Sequence, residues 1–346
     1  MTEHAQLARV RRSVVGGLLV LAIAVPGLLL SDFQRSLAAE AVIYGILVLS
    51  LVVLTGLVGQ ISFCQFSFAA VGAFTVGALV AGHHWSYWLA MPVGILLAAG
   101  VGVLVGVPAL RLHGLFLAIL TVLVALLFDR FVLVSSPLNF FSGGTTPWRP
   151  GRPSLFGLDL GASFTFYLFV LACLLVATVL VWNLRTAKTG RVLRAIRDSE
   201  VAASTMGLNL TAWKLGAFGV SAGLAGLAGA LQAIYINSVS PSSYDFQHSL
   251  QVVAVATVWG VGSVASAGFA GAFFVYGPEL LRHTPLSNRW FPLILGALLV
   301  VQLVSTPEGI VPDIEQRARR LLGRRAQPPP VGPAPVSEEP APVGVG

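Results

Sequence analysis

Residues 183–214 read N-L-R-T-A-K-T-G-R-V-L-R-A-I-R-D-S-E-V-A-A-S-T-M-G-L-N-L-T-A-W-K and form a polar island between two long apolar runs. The island holds six of the chain's 21 Lys and Arg residues and two of its 14 Asp and Glu residues. The flanking runs, Ser163–Trp182 and Leu215–Ile236, are long enough to cross a bilayer, which takes about 20 apolar residues. We therefore expect a basic element on one membrane face, where a soluble partner docks.

The composition is that of an integral membrane protein. The chain is 56% hydrophobic and 10% charged, with a mean hydropathy of +0.84, whereas soluble proteins carry about 25% charged residues. The net charge of +7 could suggest a nucleic-acid partner. The basic residues, however, cluster at the ends of apolar runs, as the positive-inside rule requires. Membrane lipid is the expected environment, and no nucleic-acid partner is expected.

Apolar runs of span length recur along the chain. They are Val14–Leu30, Ala41–Leu57, Ile61–Ala81, Trp88–Pro108, Gly114–Val134, Ser163–Trp182, Leu215–Ile236 and Phe291–Ser305. A further apolar stretch, Gln251–Leu281, is too long for one comfortable crossing, and the small residues of Gly260–Gly268 could break it. Basic clusters precede the first run, fill the island and follow residue 306. If all three are cytoplasmic, the long stretch must cross twice.

The predicted fold is all-α and polytopic, with about ten transmembrane helices, glycine-interrupted spans and a weak repeat of two halves. The predicted organisation is a cytoplasmic N-terminus (1–13), six helices (14–182), a cytoplasmic coupling loop (183–214), four helices (215–306) and a largely disordered cytoplasmic tail (307–346). Gly72-Ala73-Phe74 and Gly271-Ala272-Phe273 are the weak sign of the repeat.

Two glycine-rich breaks indicate a solute path, because unwound backbone inside a membrane offers polar groups to a substrate. The candidate path residues are Gly59, Gln60, Ser62, Gln65, Gly262 and Ser263. Hydrogen bonding between helices explains polar side chains in spans equally well, so both interpretations stand for each of them.

The island itself predicts a helix over 191–206 that ends before Gly207, which suits the left-handed residue after a helix. An imperfect apolar stripe of Val192, Ala195, Ile196, Val201 and Met206 faces a broad polar side that carries three arginines. The helix could simply lie on the membrane surface, or it could be a docking helix for a partner.

Several segments resemble the permease subunits of branched-chain amino-acid ABC importers. The most specific is Gly190-Arg-Val-Leu-Arg-Ala-Ile-Arg-Asp-Ser-Glu-Val-Ala-Ala-Ser-Thr-Met-Gly207, which is similar to their cytoplasmic loop. Gly56-Leu-Val-Gly-Gln-Ile-Ser62 and Val258-Trp-Gly-Val-Gly-Ser263 resemble two further segments of that family in the same order. Trp259, Ala267-Gly268 and Cys64-Gln65 depart from the family pattern near the expected path, which leaves the identity of the solute open.

The resemblance implies that the island couples the permease to an ATPase. The implied coupling residues are Arg191, Arg194, Arg197, Asp198, Glu200 and Gly207. The implied partners are two ATP-binding subunits, a second, homologous permease and a soluble solute-binding protein, all at the inner membrane with both termini of this chain cytoplasmic.

No catalytic residue, metal site or cofactor is expected in this chain, because it has no G-x-x-x-x-G-K-[S/T] phosphate loop and ATP would be bound by the partner. Two alternative functions are compatible with the sequence. One is a permease for urea or short amides. The other is a self-sufficient secondary transporter, which would need carboxylates buried in its spans.

Overall fold

The computed structural model describes residues 31–112, 114–132, 147–151, 153–155, 158–159, 163–282, 290–306, 309–314 and 317. The segment 1–13, the predicted first span Val14–Leu30 and nearly all of the predicted tail lie outside these residues. The described helices are α1 (Asp32–Leu51), α2 (Gln65–Gly77), α3 (Tyr87–Ala109), α4 (Leu115–Leu127), α5 (Ser163–Thr186), α6 (Lys188–Asp198), α7 (Glu200–Thr205), α8 (Leu210–Ile236), α9 (Phe246–Trp259), α10 (Ser266–Arg282) and α11 (Phe291–Ser305).

Three of these helices continue as short π-helical segments, which are Val52–Leu57 after α1, Ala78–Gly82 after α2 and Phe128–Val132 after α4. The remaining described elements are a 3-10 turn, Pro241–Ser243, and a small antiparallel hairpin of β1 (Ser154–Leu155) and β2 (Leu158–Asp159). The predicted all-helical architecture is therefore correct for the membrane part.

Seven described helical segments are long and apolar enough to cross a membrane. They are Asp32–Leu57, Gln65–Gly82, Tyr87–Ala109, Leu115–Val132, Ser163–Thr186, Leu210–Ile236 and Phe291–Ile314. The chain is thus a multi-pass membrane protein. Ten crossings remain a prediction, because the first predicted span lies outside the described residues and α9 and α10 have only 14 and 17 residues.

The stretch 251–281 forms two helices rather than one. The helix α9 ends at Trp259, and Gly260 follows with a φ of +94°, a conformation that a residue with a Cβ rarely adopts. The chain then turns, and α10 begins at Ser266.

Several helix ends differ from the sequence prediction, and local capping explains two of them. The helix α1 starts at Asp32, well before Ala41, because Ser31 and Gln34 form a capping box. The helix α8 starts at Leu210, where Asn209 Oδ1 accepts a hydrogen bond from the Ala212 N–H at 3.1 Å. Residues 210–214 therefore belong to this membrane helix and not to the predicted loop.

Glycines bring the helices into close contact around α8, the most buried span. A Cβ at Gly229 of α8 would lie 1.8 Å from the carbonyl oxygen of Ala69 in α2, so only glycine fits there. The two glycines of the repeated tripeptides occupy similar contacts. Gly72 of α2 meets Gly226 of α8, and Gly271 of α10 meets Gly45 of α1. Small residues at such crossings are how membrane helices approach closely.

Candidate functional site

The polar island folds into two short helices, not the single helix predicted over 191–206. The helix α6 ends at Asp198, and Ser199 takes an extended conformation with a φ of −160°. The Ser199 hydroxyl then accepts a hydrogen bond from the Ala202 N–H at 3.2 Å and so caps α7. Because serine caps a helix well, this residue stops one helix and starts another.

Gly207 ends α7 in the conformation predicted for it, with a φ of +77°. The Gly207 N–H donates to the Ser204 carbonyl at 3.0 Å, and the Leu208 N–H donates to the Ala203 carbonyl at 3.3 Å. These two bonds make a Schellman motif, which satisfies the last carbonyl groups of the helix. The role of Gly207 in the structure is thus to turn the chain from α7 towards α8.

One face of the island packs on the membrane helices. Leu193 of α6 is buried in an apolar cluster that includes Leu54, Leu57 and Phe218, and Ile196 of α6 is also buried. The predicted apolar stripe is right at Ile196 and wrong at Ala195, Val201 and Met206, which are all exposed, the last two at 75% and 76%. The break at Ser199 changes the direction of the chain, so apolar positions after it do not continue the buried face of α6.

Arg197 joins the island to the first glycine break. Its Nη1 atom donates a hydrogen bond to the Gly56 carbonyl oxygen at 2.6 Å. Its methylene groups lie over Gly59, where a Cβ would stand 2.9 Å from Arg197 Cγ. Gly59 also has a φ of +77°, so both its conformation and its contact favour glycine. We call the end of the helical bundle at which Arg197 contacts Gly56 and Gly59 the loop end.

Glu200 joins the island to α8. Its Oε2 atom lies 2.6 Å from Nζ of Lys214, whose side chain is only 3% exposed, while that of Glu200 is 36% exposed. Lys214 was not among the predicted site residues, because the sequence predicts this position in the loop and not in a helix. Asn209 is a common capping residue, and a helix that starts after it would contain Lys214. A cation in the first turns of a membrane helix is expected to have an acidic partner.

The other predicted coupling residues have different surroundings. Arg194 stays within the island region, where its Nε donates to the Gly190 carbonyl at 3.0 Å and its Nη2 to the Arg185 carbonyl at 3.3 Å. It thereby satisfies a carbonyl group at the end of α5. Arg191 and Asp198 are exposed, and no described residue pairs with either side chain.

Gln65 belongs to a buried hydrogen-bond network between three helices. Its Nε2 donates to Ser221 Oγ of α8 at 3.1 Å, and its Oε1 accepts from Ser50 Oγ of α1 at 3.0 Å. Ser221 Oγ in turn donates to the Ser50 carbonyl oxygen at 2.7 Å. The Ser50 hydroxyl also lies 2.5 Å from the Leu47 carbonyl oxygen, so its one proton is shared between that oxygen and Gln65 Oε1. These contacts with two helices favour helix packing over solute contact at Gln65.

Three further path candidates are also held within the protein. Ser62 is buried and its Oγ lies 3.3 Å from Cys64 Sγ. Ser263 Oγ accepts a hydrogen bond from the Ala265 N–H at 3.2 Å. Gly262 lies near Pro312, with 3.8 Å between the Pro312 ring and a Cβ built at the glycine. These contacts shape the two breaks.

A cavity of about 410 Å³ brings two predicted sites together at the loop end. Gly59 and Gln60, predicted for the solute path, line it with Arg197 and Glu200, predicted for coupling. Ser62, Gln65, Gly262 and Ser263 do not line it. The second break nevertheless touches the first, because a Cβ at Gly56 would lie 2.2 Å from the Val261 carbonyl oxygen.

Comparisons with known proteins identify a family and several relatives of this chain. The model of the family described as "Branched-chain amino acid transport system / permease component" matches residues 35–303. The high-affinity branched-chain amino acid transport system permease protein LivM of Salmonella typhimurium is 32% identical over 330 residues, which is 89% of this chain and 76% of LivM. LivM of Escherichia coli is 33% identical over 318 residues, 85% of this chain and 73% of that protein.

A second kind of relative matches a smaller part. The permease protein LivH of Salmonella typhimurium is 27% identical over 135 residues, 38% of this chain and 43% of LivH. No solved structure matches the chain significantly. The family match covers most of the spans and the whole island, and the chain therefore belongs to the family of branched-chain amino acid transport system permease components.

Proposed function

We propose that this chain is the transmembrane permease subunit of an ATP-binding-cassette importer, which moves branched-chain amino acids across the inner membrane. The names of the LivM and LivH relatives support the solute class. The ATP-binding site would belong to a separate subunit, because this sequence has no phosphate-binding loop.

The attachment of the island carries the proposal. The helices α6 and α7 are tied to α1 through Arg197 and Gly56 and to α8 through Glu200 and Lys214. A displacement of this helix pair is therefore transmitted to two membrane helices through charged contacts. In the proposed importer, two ATP-binding subunits supply that displacement when they close on ATP.

The outer side of the island supplies a surface for the ATP-binding subunit. Val201 and Met206 expose apolar side chains, and Arg191 and Asp198 are exposed charged residues of the same island. An apolar centre with a charged rim is usual in protein interfaces. We assign docking to these four residues, and the transmission of movement to Arg197 and Glu200.

The topology follows from the basic charge of the island. Cytoplasmic loops are enriched in Lys and Arg, so the loop end faces the cytoplasm in this proposal. Both termini then lie on the same side, with ten crossings in all. In that arrangement α9 and α10 are two short crossings that meet at the Gly260 break.

Three kinds of partner complete the proposed importer. The LivH relative, which matches part of the chain, supports a second, homologous permease beside this one. A soluble binding protein would deliver the solute, and two ATP-binding subunits would drive transport. Which solute is carried is decided by measuring uptake of leucine, isoleucine and valine beside urea and acetamide.

The test is reconstitution in proteoliposomes with the second permease, the two ATP-binding subunits and the binding protein. We expect leucine uptake that requires ATP. Arg197→Glu and Glu200→Arg should lower the ratio of leucine moved to ATP hydrolysed by about tenfold or more. Arg35→Glu, at the opposite end of α1, is the matched control and should leave that ratio unchanged. Uptake by the chain in vesicles without any ATPase subunit would overturn the proposal.

A further inference from the structure

The cavity at the loop end lies where the spans leave the membrane. It is bordered by α6, the first glycine break and the turn from α3 to α4. Both α3 and α4 belong to segments that are long and apolar enough to cross a membrane, so the turn between them emerges at one membrane surface. Arg111 in this turn is exposed, as is usual for an arginine at the end of a span. The cavity therefore lies at the level of the lipid headgroups of one leaflet.

The lining of the cavity is mostly apolar and continues onto a lipid-facing helix. Ile61 and Leu115 line it and are 48% and 74% exposed, whereas Leu117 lies deeper. The span that begins at Leu115 is the least buried of the seven candidate spans in the described part of the chain. The cavity volume of about 410 Å³ is within the range of ligand sites, roughly 300–1,000 Å³. An acyl chain that enters beside α4 gains van der Waals contacts with this lining.

The charges at the cavity leave a positive excess. Arg197 and Glu200 both line it. Glu200 is already paired with the buried ammonium group of Lys214, at 2.6 Å, so these two charges offset each other. The Arg197 side chain is exposed, and no described acidic residue forms an ion pair with it. The guanidinium group of Arg197 is therefore the charge that an occupant meets, and it favours an anion.

The donors of Arg197 suit a phosphate group. One donor is used on the Gly56 carbonyl oxygen, at 2.6 Å, and a guanidinium group has five in all. Guanidinium groups bind phosphate oxygens through paired, charge-assisted hydrogen bonds. At the other border of the cavity, Gly114 has no side chain to cap the first N–H groups of α4. The partial positive charge of that helix end adds to the attraction exerted by Arg197.

We propose that this cavity binds an anionic phospholipid of the leaflet at the loop end, with its phosphate at Arg197 and an acyl chain along Ile61 and Leu115. A zwitterionic phospholipid fits less well, because its headgroup brings a second cation to a site that is already positive. A phosphate on the free donors of Arg197 also holds the guanidinium group against Gly56, so bound lipid stabilises the contact between α6 and the end of α1. The inference uses neither the solute nor the ATPase of the proposed function.

Binding is tested on the purified full chain, stripped of lipid in detergent, by native mass spectrometry. Phosphatidylglycerol and phosphatidylcholine with the same acyl chains are titrated separately. We expect one phosphatidylglycerol to bind at least about fivefold more tightly than phosphatidylcholine, because only phosphatidylglycerol carries a net negative charge. Phosphatidylglycerol should also raise the melting temperature of the chain. Equal affinity for the two lipids, or no phosphatidylglycerol bound to the folded chain, overturns the proposal.

Two variants locate the bound lipid. Arg197→Gln removes the guanidinium group and should weaken phosphatidylglycerol binding about tenfold or more, the loss expected for charge-assisted hydrogen bonds. Ile61→Trp fills the cavity from an exposed position and should abolish the tight binding. The matched control is Arg191→Gln, because Arg191 is also an exposed arginine of α6 but does not line the cavity. It should weaken binding less than about threefold. Equal losses in the two arginine variants indicate a diffuse attraction to the island and refute the site.

Two further measurements identify the occupant. Glycerol 3-phosphate, which has the phosphate but no acyl chain, should not displace phosphatidylglycerol at equal concentration. Displacement makes the cavity a site for a soluble phosphate compound and overturns the lipid assignment.

The assembled importer separates this inference from the proposed function. One phosphatidylglycerol per copy of this chain should stay bound after assembly. Its loss on assembly shows that a partner subunit covers the cavity, which overturns the inference and leaves the proposed function intact. If the chain binds phosphatidylglycerol through Arg197 but the reconstituted subunits import no leucine, the proposed function fails and the lipid site stands.

Discussion

The ion pair between Glu200 and Lys214 makes a prediction in which the two single variants differ. The Lys214 ammonium group is almost wholly buried, whereas the Glu200 carboxylate is about one third exposed to solvent. Removal of Glu200 leaves a buried charge without a partner. Removal of Lys214 leaves a carboxylate that water can reach. The loss should therefore be larger for Glu200→Gln than for Lys214→Met.

The size of each effect follows from the burial of the group left behind. Loss of one partner of a buried ion pair costs about 3–5 kcal/mol. We expect about 3 kcal/mol for Glu200→Gln, because the glutamine oxygen still accepts a hydrogen bond from Lys214. Lys214→Met should cost about 1 kcal/mol, close to the value of an exposed pair. The double variant should also lose about 1 kcal/mol, because it leaves no charge unpaired, so the coupling energy is about 3 kcal/mol.

The measurement is the free energy of unfolding of the purified chain in mixed micelles, taken from a denaturant titration of the three variants and the unaltered chain. Asp198→Asn, an exposed residue next to α7 with no described partner, is the control and should change the free energy by less than about 0.5 kcal/mol. Equal losses for the two single variants, or additive losses in the double variant, would refute this account of the contact.

Three further predictions concern packing, docking and pH. Gly229→Ala should destabilise the chain by about 1–3 kcal/mol through overpacking against Ala69. Gly216→Ala in the same helix, where a Cβ would meet no atom within 4 Å, is the control and should be neutral or stabilising by up to about 1 kcal/mol. Similar melting temperatures of the two variants would contradict the packing of α8. Val201→Asp and Met206→Asp should lower the affinity for the ATP-binding subunit at least about tenfold without a change in melting temperature, because both side chains are exposed. If the variants pull down the subunit as well as the unaltered chain does, α7 is not part of the docking surface. At the start of α9, burial raises the pKa of Asp245, but hydrogen bonds from the backbone and ring of His248 outweigh it and hold the pKa below its ordinary value of 3.8. The stabilisation by Asp245 is therefore full above that value and is lost as the pH falls below it. If acid lowers the melting temperature of Asp245→Asn as much as that of the unaltered chain, this prediction is wrong.

The sequence predicted the membrane spans well where hydropathy and length decide the outcome. The helix α11 has the predicted bounds, and the long stretch 251–281 forms two helices at the predicted glycine-rich segment. Helix ends were less predictable, because polar caps move them. The capping residues Ser31 and Asn209 begin α1 and α8 several residues before the apolar runs do.

The island shows why a helical period is not enough to predict a buried face. The period is valid only within one continuous helix, and the hydroxyl of Ser199 interrupts it. Val201 and Met206 therefore face solvent, although their spacing suggested the stripe of Ile196. Ser199 is a good capping residue, and this signal could have been read from the sequence.

The polar residues of the spans could not be assigned from the sequence, because their partners are distant in the chain. Gln65 bonds Ser221, which lies 156 positions away. Gln60 and Gln65 are both glutamines beside the same break, and the sequence predicts both of them equally for the solute path. The structure separates them, since the Gln65 amide contacts Ser221 and Ser50 of two other helices while the Gln60 oxygen has no donor among the described residues.

Gly56 is the position at which the island and both breaks meet. Its carbonyl oxygen accepts the hydrogen bond from Arg197, and its missing Cβ leaves room for the carbonyl oxygen of Val261 in the second break. Gly309 packs against Gly260 at that same break, where a Cβ would lie 2.2 Å from Gly260 Cα. A shift of α6 therefore acts on the end of α1 directly and on the turn between α9 and α10 through one backbone contact. The link between the two breaks is made by backbone atoms, which leave little room for movement between them, whereas the link from the island to Gly56 is made by the Arg197 side chain. In the proposed importer, these contacts would carry a displacement of the island to both breaks.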